Sequence, residues 1–389
     1  MSYDKDLNFI FRFKTKIVFG PDTAKDVGME VDSLGCSKAL IVTDSFISSK
    51  TDLVERVKTA LGNRCVGVFD GCEPDSGVHI VDKGTEMGRK VKADCLVSVG
   101  GGSSIDTSKG MAICLKKGGN LRDYTGINFL DAPITPHIVI PTTGGTGSEV
   151  TYAAVIKDHE AGRKLLIADN FLIPDIAILD PLMTVGMPPM VTAGTGMDAV
   201  THAVEAIHSL QRDPIADALA LHAIRLAKRY LPDAVKNGND ITARGQMLIA
   251  ANMAGSAFSN AQVGVVHALA HSVGARHGVP HGVANSILLP HCIRFNLSEC
   301  PDRYAMVAEA LGVEDIKGKS DEKAGAGAAD AAMALAKSVG LPLRLRDVKV
   351  PESGLETLAN DALSDGSIVY NPRNAMDHAL LLGILRQAW

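Results

Sequence analysis

The first half of this chain alternates short apolar runs with amphipathic stretches, and this alternation restricts the fold more than any other feature. Five runs have a largely apolar centre, which is typical of strands that are buried on both faces, and they span residues 37–44, 65–70, 93–100, 137–143 and 175–180. The stretches between them, such as DLVERVKTALG and VHIVDKGTEMGRKVK, have helical periodicity. This order predicts an α/β domain in which helices cover both faces of a doubly wound, Rossmann-like parallel sheet.

The strand patterns end near DPLMTVGMPP, and long helical patterns follow. Segments such as ADALALHAIRLAKRYL and ITARGQMLIAANMAGSAFS carry small residues that allow close helix packing. We therefore expect two domains, an α/β domain over residues 1–185 and an all-α domain over residues 186–389. Near the start, NFIFRFKTKIVFG alternates apolar and basic residues, which is typical of an edge strand or a hairpin and suits pairing with another subunit.

The composition narrows the classes of function. With 389 residues, of which 46% are hydrophobic, the chain is long enough to bury the cores of two globular domains. A net charge of -5, without dense runs of lysine or arginine, argues against a nucleic-acid partner. Charges interrupt the apolar residues of the first 20 positions, so these predict neither a signal peptide nor a membrane span. Seven cysteines without a C-x-x-C pair favour reduced thiols, and we expect a cytoplasmic protein.

Two glycine-rich loops each follow a predicted strand. LVSVGGGSSIDTSKG (96–110) runs through three glycines into a predicted helix, and IPTTGGTGSEVT (140–151) adds threonine and serine hydroxyls. Glycine lets the backbone approach a phosphate closely, and a helix N-terminus favours an anion. Neither loop matches G-x-G-x-x-G, and a single loop is equally consistent with a tight strand-to-helix connection. Two such loops at the carboxyl ends of strands in one sheet favour a bound dinucleotide.

Asp44 ends the predicted strand in IVTD. An acidic side chain at this place accepts hydrogen bonds from a ribose and repels a 2'-phosphate, which favours NAD over NADP. The alternative is an aspartate that caps a helix or a turn.

Four of the 12 histidines lie in GVVHALAHSVGARHGVPHG, at residues 264–282. His267 and His271 are four residues apart and share one face of a predicted helix, which Gly274, Gly278 and Pro280 are expected to end before His281. A histidine pair at this spacing either shares a metal ion or consists of ordinary helix residues.

A second same-face pair lies upstream, in GTGMDAVTHAVEA. Asp198 and His202 are also four residues apart, and Glu205 is a further acidic candidate that lies away from Asp198 along the helix. A carboxylate with two or three imidazoles suits a divalent ion such as Fe(II) or Zn(II).

The motifs GGGSSID, PTTGGTGSEVT, DPLMTVGMPP, GTGMDAVTHAVEA, GVVHALAHSVG and VPHGVANSILLPH together resemble the iron-containing (group III) alcohol dehydrogenases, close to the lactaldehyde and 1,3-propanediol dehydrogenase type. The resemblance runs from the N-terminal strand to the C-terminus and implies a dehydroquinate synthase-like architecture. It implies that the metal ligands are Asp198, His202, His267 and His281, with Fe(II) as the metal and Zn(II) or another divalent ion as the alternative. It also implies that His271 is not a ligand and takes part in proton exchange.

The resemblance implies a set of cofactor contacts in the α/β domain as well. These fall on Asp44, Gly101, Gly102, Ser103, Asp106, Thr142, Thr143, Thr146, Ser148, Thr151, Lys164 and Leu182. Phe258 and Val263, just ahead of His267, are candidate walls of the substrate pocket, with a core role as the alternative. His277 is a candidate at the edge of the pocket, with a surface role as the alternative.

The reaction implied is reversible hydride transfer between an alcohol and NAD to give the aldehyde or ketone. We expect a primary alcohol or a diol as the small-molecule substrate, a homodimer or higher homo-oligomer, and neither a nucleic-acid nor a membrane partner. Two alternatives use the same fold, a glycerol dehydrogenase-like enzyme and a hydroxy-acid dehydrogenase.

Two other classes of protein, a zinc protease and a non-catalytic metal-binding protein, are alternatives to this function. HALAH has the two-histidine spacing of zinc proteases, but Ala268 stands where those enzymes carry a general-base glutamate. A non-catalytic metal-binding protein would not need two phosphate-binding loops. Both alternatives are therefore disfavoured.

Overall fold

A computed structural model of the chain describes residues 7–314, 316 and 318–389. The chain forms two compact units, one spanning Arg12–Val185 and the other Gly186–Trp389 together with residues 7–11. We call them the sheet unit and the helical unit.

The sheet unit contains a six-stranded sheet in which all paired strands are parallel. Its six strands are β1 (Lys16–Phe19), β2 (Ala39–Asp44), β3 (Cys65–Cys72), β4 (Cys95–Gly100), β6 (His137–Pro141) and β9 (Ile176–Leu179). They lie in the order β1-β9-β6-β4-β2-β3, so that the chain crosses over repeatedly between strands. The five predicted strands all form.

Helices cover both faces of this sheet. They are α1 (Val27–Ser33), α2 (Ser45–Lys50), α3 (Leu53–Leu61), α4 (Val78–Val91) and α5 (Gly102–Lys117). Successive residues of β2 point to opposite faces. Ile41 packs in one apolar cluster with side chains of α1 and α3, and Leu40 packs in another with side chains of α4 and α5. The predicted doubly wound, Rossmann-like fold is confirmed.

A second, three-stranded sheet was not predicted. It consists of β5 (Gly126–Ile127), β7 (Ala153–Asp158) and β8 (Arg163–Ala168) in the order β5-β8-β7. β7 and β8 form an antiparallel hairpin whose turn contains Gly162 with a φ of 63°. In β7, Ala154 and Ile156 are buried and Val155 between them is exposed, which is the period of a half-buried strand.

The described residues of the helical unit form nine α-helices. They are α6 (Pro189–His208), α7 (Pro214–Lys236), α8 (Ile241–Ala261), α9 (Val265–His277), α10 (His281–Asn296), α11 (Pro301–Ala310), α12 (Asp321–Ser338), α13 (Leu355–Ala362) and α14 (His378–Ala388). Small residues allow these helices to approach closely. A Cβ at Gly196 of α6 would lie 2.3 Å from Leu231 of α7. The predicted all-α second half is confirmed.

Two local predictions can be compared with the structure. The helix with His267 continues through Gly274 to His277, and Gly278, with a φ of 65°, ends it before His281, as predicted. A glycine inside a helix costs only about 1 kcal/mol, which tertiary packing readily offsets. Of the N-terminal stretch, Lys16–Phe19 forms a strand at the edge of the large sheet, which confirms the edge-strand alternative. Among the described residues, none of the helices has the length and apolar character needed to cross a membrane.

Candidate metal centre and cofactor-binding loops

Three helices of the helical unit bring together four side chains that could hold a metal ion. Asp198 and His202 lie one turn apart on α6, His267 lies on α9, and His281 is the first residue of α10. One ligand atom from each of the four lies within 4.8 Å of the others. Three of these residues are buried, while the His281 side chain is 41% exposed. One carboxylate and three imidazoles thus form a cluster that is accessible to solvent on the side of His281.

Glycines allow α6 and α10 to approach each other at this cluster. A Cβ at Gly282, which follows His281, would lie 2.1 Å from the carbonyl oxygen of Gly194 and 3.3 Å from the Asp198 Cβ. Only glycine at position 282 leaves room for the two backbones. The short contact brings His281 to within 3.5 Å of Asp198, measured from Nε2 to Oδ1.

Asn285, one turn after His281 on α10, points its amide into the cluster. Its Nδ2 lies 2.7 Å from Asp198 Oδ1, 3.1 Å from His281 Nε2 and 3.3 Å from His267 Nε2. The asparagine is fully buried. Sequence analysis missed Asn285, although its spacing of four residues from His281 on a helix is a signal that identifies it.

The imidazole of His202 is held between two other rings. It stacks on Phe258 at a centroid distance of 4.1 Å and on His267 at 4.7 Å. Its buried Nδ1 has no hydrogen-bond partner within the described part of the chain. Of the candidate pocket residues, Phe258 therefore contacts a candidate ligand directly.

The electrostatics of the cluster favour a divalent cation. Burial, which penalises the charged form, holds the pKa of His267 well below its ordinary value, so this imidazole is neutral and keeps a lone pair for a metal. Burial acts to raise the pKa of Asp198, but the imidazoles of His202, His281 and His267 outweigh it and lower this pKa below the ordinary value. An ionised carboxylate and a neutral imidazole are the protonation states that a metal requires.

His271 lies beside the cluster and is oriented by a carboxylate. Its ring stacks on that of His281 at a centroid distance of 5.3 Å. Its Nδ1 lies 2.7 Å from Asp365 Oδ2, and Asp365 Oδ1 accepts a hydrogen bond from the backbone N–H of Ser367. Burial acts to raise the pKa of Asp365, but the hydrogen bond with His271 contributes to a pKa well below the usual range. Asp365 is 94 residues away in the sequence, and no local pattern indicates it.

Two further candidates of the helical unit lie outside the four-residue cluster. His277 is the last residue of α9, and a Cβ at Gly354 would lie 3.3 Å from its Nε2. Val263 is partly buried in the connection between α8 and α9. Their contact with a substrate stays a prediction.

In the sheet unit, the two glycine-rich loops pack against each other. A Cβ at Gly101 would lie 3.4 Å from Thr143 Oγ1, and one at Gly102 would lie 3.2 Å from Thr146 Cγ2 and 3.3 Å from Ser148 Oγ. The buried Thr143 Oγ1 has no hydrogen-bond partner among the described residues. Gly101 precedes the 16-residue helix α5 and provides no side-chain cap, so the amides at this end are available to an anion.

Several of the other predicted cofactor residues hold these loops in place. Asp106 Oδ2 accepts a hydrogen bond from Val155 N–H at 3.0 Å. Thr142 N–H donates to the carbonyl of Gly100. Thr151 receives two hydrogen bonds from Lys109 Nζ, one to its carbonyl and one to its hydroxyl, both at 2.9 Å.

The fully buried Lys109, which also donates to the carbonyl of Ala153, was missed from the sequence. Its burial lowers its pKa to about 8. The sequence signal for its burial is the run of small and apolar residues, GMAIC, that follows this lysine.

The remaining predicted contacts are distributed around the same unit. Asp44 caps α2, accepting from Ile47 N–H at 2.9 Å, so the capping alternative describes its observed contact. Ser103 Oγ accepts from the backbone N–H of Asp75 at 3.3 Å, and Lys164 forms an ion pair with the Asp75 carboxylate at 3.0 Å. Leu182 N–H donates to Asp180 Oδ1 in a short 3-10 helix.

Comparison with protein families accounts for almost the whole chain. Residues 14–181 match the model of the iron-containing alcohol dehydrogenases, and residues 192–389 match the C-terminal model of the Fe-containing alcohol dehydrogenase family. The chain therefore belongs to the iron-containing alcohol dehydrogenase family, whose members carry out NAD-linked alcohol oxidoreduction.

Individual relatives agree with this assignment. The chain is 41% identical to 1,3-propanediol dehydrogenase of Klebsiella pneumoniae, over 95% of this chain and 96% of the relative. It is 36% identical to lactaldehyde reductase of Escherichia coli K12, over 92% and 94% of the two chains. These similarities confirm the type of family member that the motifs indicated.

Solved structures are similar as well. A 1,3-propanediol oxidoreductase superposes with a TM-score of 0.95 at 39% identity, covering 98% of this chain and 100% of the other. Sulfoacetaldehyde reductase from Bifidobacterium kashiwanohense, solved in complex with NAD+, gives a TM-score of 0.88 at 29% identity over 98% and 99% of the two chains.

Proposed function

We propose that this chain oxidises small alcohols reversibly with NAD, and that Asp198, His202, His267 and His281 hold the divalent metal this reaction uses. The observation that carries the proposal is the convergence of these four donor atoms within 4.8 Å. Fe(II) is the first choice, with Zn(II) or another divalent ion as the alternative, because one carboxylate and three imidazoles accept either.

A divalent ion in this site supplies Lewis acidity, which lowers the pKa of an alcohol hydroxyl and polarises a carbonyl in the reverse direction. The burial of the four side chains determines the side from which a substrate can reach the site. Asp198, His202 and His267 approach from the buried side of the site, and His281 stands at its exposed edge. A substrate oxygen is therefore expected to reach the site from the side of His281.

His271 is proposed to carry the proton that leaves the alcohol. Its Nδ1 is occupied by Asp365, which leaves Nε2 to exchange protons. The His271 side chain is 35% exposed, so it is accessible to water. Because a carboxylate stabilises the protonated imidazole, Asp365 supports this exchange as a positioning residue.

The sheet unit is proposed to bind NAD along its glycine-rich loops. Gly101 and Gly102 leave space beside the hydroxyls of Thr143, Thr146 and Ser148, and the amides of α5 suit a phosphate. The unpartnered Thr143 hydroxyl supports a ligand at this place. Asp44 Oδ1 serves as a helix cap, and we propose that its other carboxylate oxygen contacts the ribose and disfavours NADP.

We propose a primary alcohol or a diol as the substrate. The relatives include a 1,3-propanediol dehydrogenase and a lactaldehyde reductase, both named for small hydroxylated compounds. Phe258, stacked on His202, supplies an apolar wall next to the candidate metal site, and Val263 and His277 complete the proposed set of substrate contacts.

The proposed setting is a homodimer or higher homo-oligomer in the cytoplasm, without a nucleic-acid or membrane partner. All seven cysteines are free thiols, which suits a reducing compartment.

Metal removal and reconstitution test the proposal. The metal-free protein should lose NAD reduction with a panel of primary alcohols and diols, and Fe(II) or Zn(II) should restore it. Asp198→Asn removes a ligand charge and should abolish the restoration, whereas Glu30→Gln in the sheet unit should not affect it. Equal turnover by metal-free and metal-loaded protein would contradict the proposed metal site. Failure to bind NADH in a fluorescence titration would contradict the dehydrogenase itself.

A further inference from the structure

A buried carboxylate outside the candidate ligand set contacts the rear of one ligand. Glu205 lies on α6, about two turns after Asp198. It is fully buried, and its carboxylate reaches His267 of α9. Glu205 Oε2 lies 2.5 Å from His267 Nδ1, on the opposite side of the ring from the Nε2 that faces the cluster.

The second oxygen of this carboxylate anchors the helix that carries His267. Glu205 Oε1 accepts the backbone N–H of Val266 at 2.7 Å, in the first turn of α9. Gly264 just before this helix makes the approach possible, because a Cβ there would lie 3.3 Å from Oε1. One carboxylate thus holds both the backbone and the imidazole of the same short segment.

This contact determines which nitrogen of His267 carries the proton. A carboxylate accepts hydrogen bonds, so the proton of the neutral ring resides on Nδ1 and the lone pair on Nε2 faces the other ligands. Metal-binding histidines commonly donate their second nitrogen in this way, which fixes the tautomer and raises the basicity of the ligand.

We propose that Glu205 is a positioning residue of the metal centre, which sets the tautomer and orientation of His267 and thereby the affinity for the metal. The inference rests on the proposed function, since it takes His267 to be a ligand. Glu205 is then a fifth side chain of the site, in addition to the four candidate ligands. Its removal weakens metal binding although no ligand is lost.

Glu205→Gln tests the role with little change of shape. Glutamine offers one carbonyl oxygen where glutamate offers two acceptors, so it cannot accept from both Val266 N–H and His267 Nδ1–H. An amide NH2 group that faces Nδ1 would favour the tautomer with the proton on Nε2, where the metal binds. We expect the metal affinity to fall by about 10- to 100-fold.

The measurement is the dissociation constant of Zn(II), and of Fe(II) without oxygen, by competition with a chromophoric chelator. The visible spectrum of Co(II)-loaded protein reports the ligand geometry independently of activity. Glu30→Gln is the matched control, because Glu30 is a buried glutamate of the sheet unit that pairs with Lys16. It should leave both readouts unchanged. At saturating metal, the activity of the E205Q protein should recover much of the loss.

The outcomes separate the two proposals. If the wild-type protein binds no divalent ion at a one-to-one ratio, the proposed function fails and this inference with it. If the wild-type protein binds metal and folded E205Q binds it equally well, only the role of Glu205 is overturned. A variant that is less stable without metal but has wild-type metal affinity would indicate a merely structural role. Should E205Q fail to fold, E205D is measured under the same criterion, because its shorter side chain cannot span both donors.

Discussion

Replacing Gly282 by alanine tests how closely α6 and α10 must approach for the ligands to converge. The added Cβ would lie 2.1 Å from the carbonyl oxygen of Gly194, whereas real Cβ atoms essentially never come within 3.0 Å of such a neighbour. The two backbones must therefore separate by roughly 0.9 Å, because a helix backbone cannot turn aside as a flexible side chain can.

This separation affects folding and metal binding to different degrees. Overpacking of a buried contact costs about 1–3 kcal/mol of the free energy of unfolding. Metal–ligand distances tolerate deviations of only about 0.2 Å. Because His281 adjoins Gly282 and Asp198 lies against it, we expect the metal affinity to fall by at least about 10-fold, as it does when supporting residues are lost.

Urea unfolding of the metal-free protein measures the first effect, and chelator competition measures the second. Gly383→Ala in α14 is the control, because its Cβ would meet no atom within 4 Å. This control should raise the free energy of unfolding by about 0.5–1 kcal/mol and leave the metal affinity unchanged. A folded G282A protein with wild-type metal affinity would refute the reasoning that close helix approach sets the ligand geometry.

Other side chains give further expected outcomes. Asp365→Asn removes the charge behind His271 and should lower kcat by up to about 100-fold at unchanged metal affinity; an unchanged kcat across the pH profile would contradict this. Lys109→Met leaves the carbonyls of Thr151 and Ala153 without their buried donor and should lower the free energy of unfolding by about 1–3 kcal/mol, a loss that a wild-type urea midpoint would exclude. Burial lowers the pKa of His137 to about 3 and of His208 to about 4, whereas unfolded imidazoles titrate near 6.5. Between roughly pH 6.5 and 4 the unfolded chain therefore binds protons that the folded chain does not, and stability falls as the pH falls, by up to about 1.4 kcal/mol per pH unit for each histidine. If the urea midpoint of the metal-free protein is constant over this pH range, the lowered pKa values of these two histidines are contradicted.

Much of the fold follows from local patterns. The five buried runs and the helices between them have distinct periods, so strand and helix are distinguishable without knowledge of the partners. The three-stranded sheet escaped prediction, because β5 has only two residues and because β7 and β8 are half-buried, so that exposed residues interrupt their apolar runs.

The candidate site, like the fold, could be predicted only in part from the sequence. Sequence spacing alone places Asp198 and His202 on one helix face, and family resemblance adds His267 and His281. The partners that orient these groups are distant in sequence. Glu205 reaches His267 across 62 residues, and Asp365 reaches His271 across 94. No periodicity relates residues so far apart.

By itself, the sequence determined the class of fold, the family, the candidate ligands and the glycine-rich loops, because helix and strand periods and motif spacings are local properties of the chain. Only the tertiary structure decided that α6 and α10 meet at Gly194 and Gly282, that Asn285 faces the candidate ligands, and that Glu205 lies behind His267. These contacts depend on how closely packed helices approach one another, which is set by the shapes of all the side chains between them.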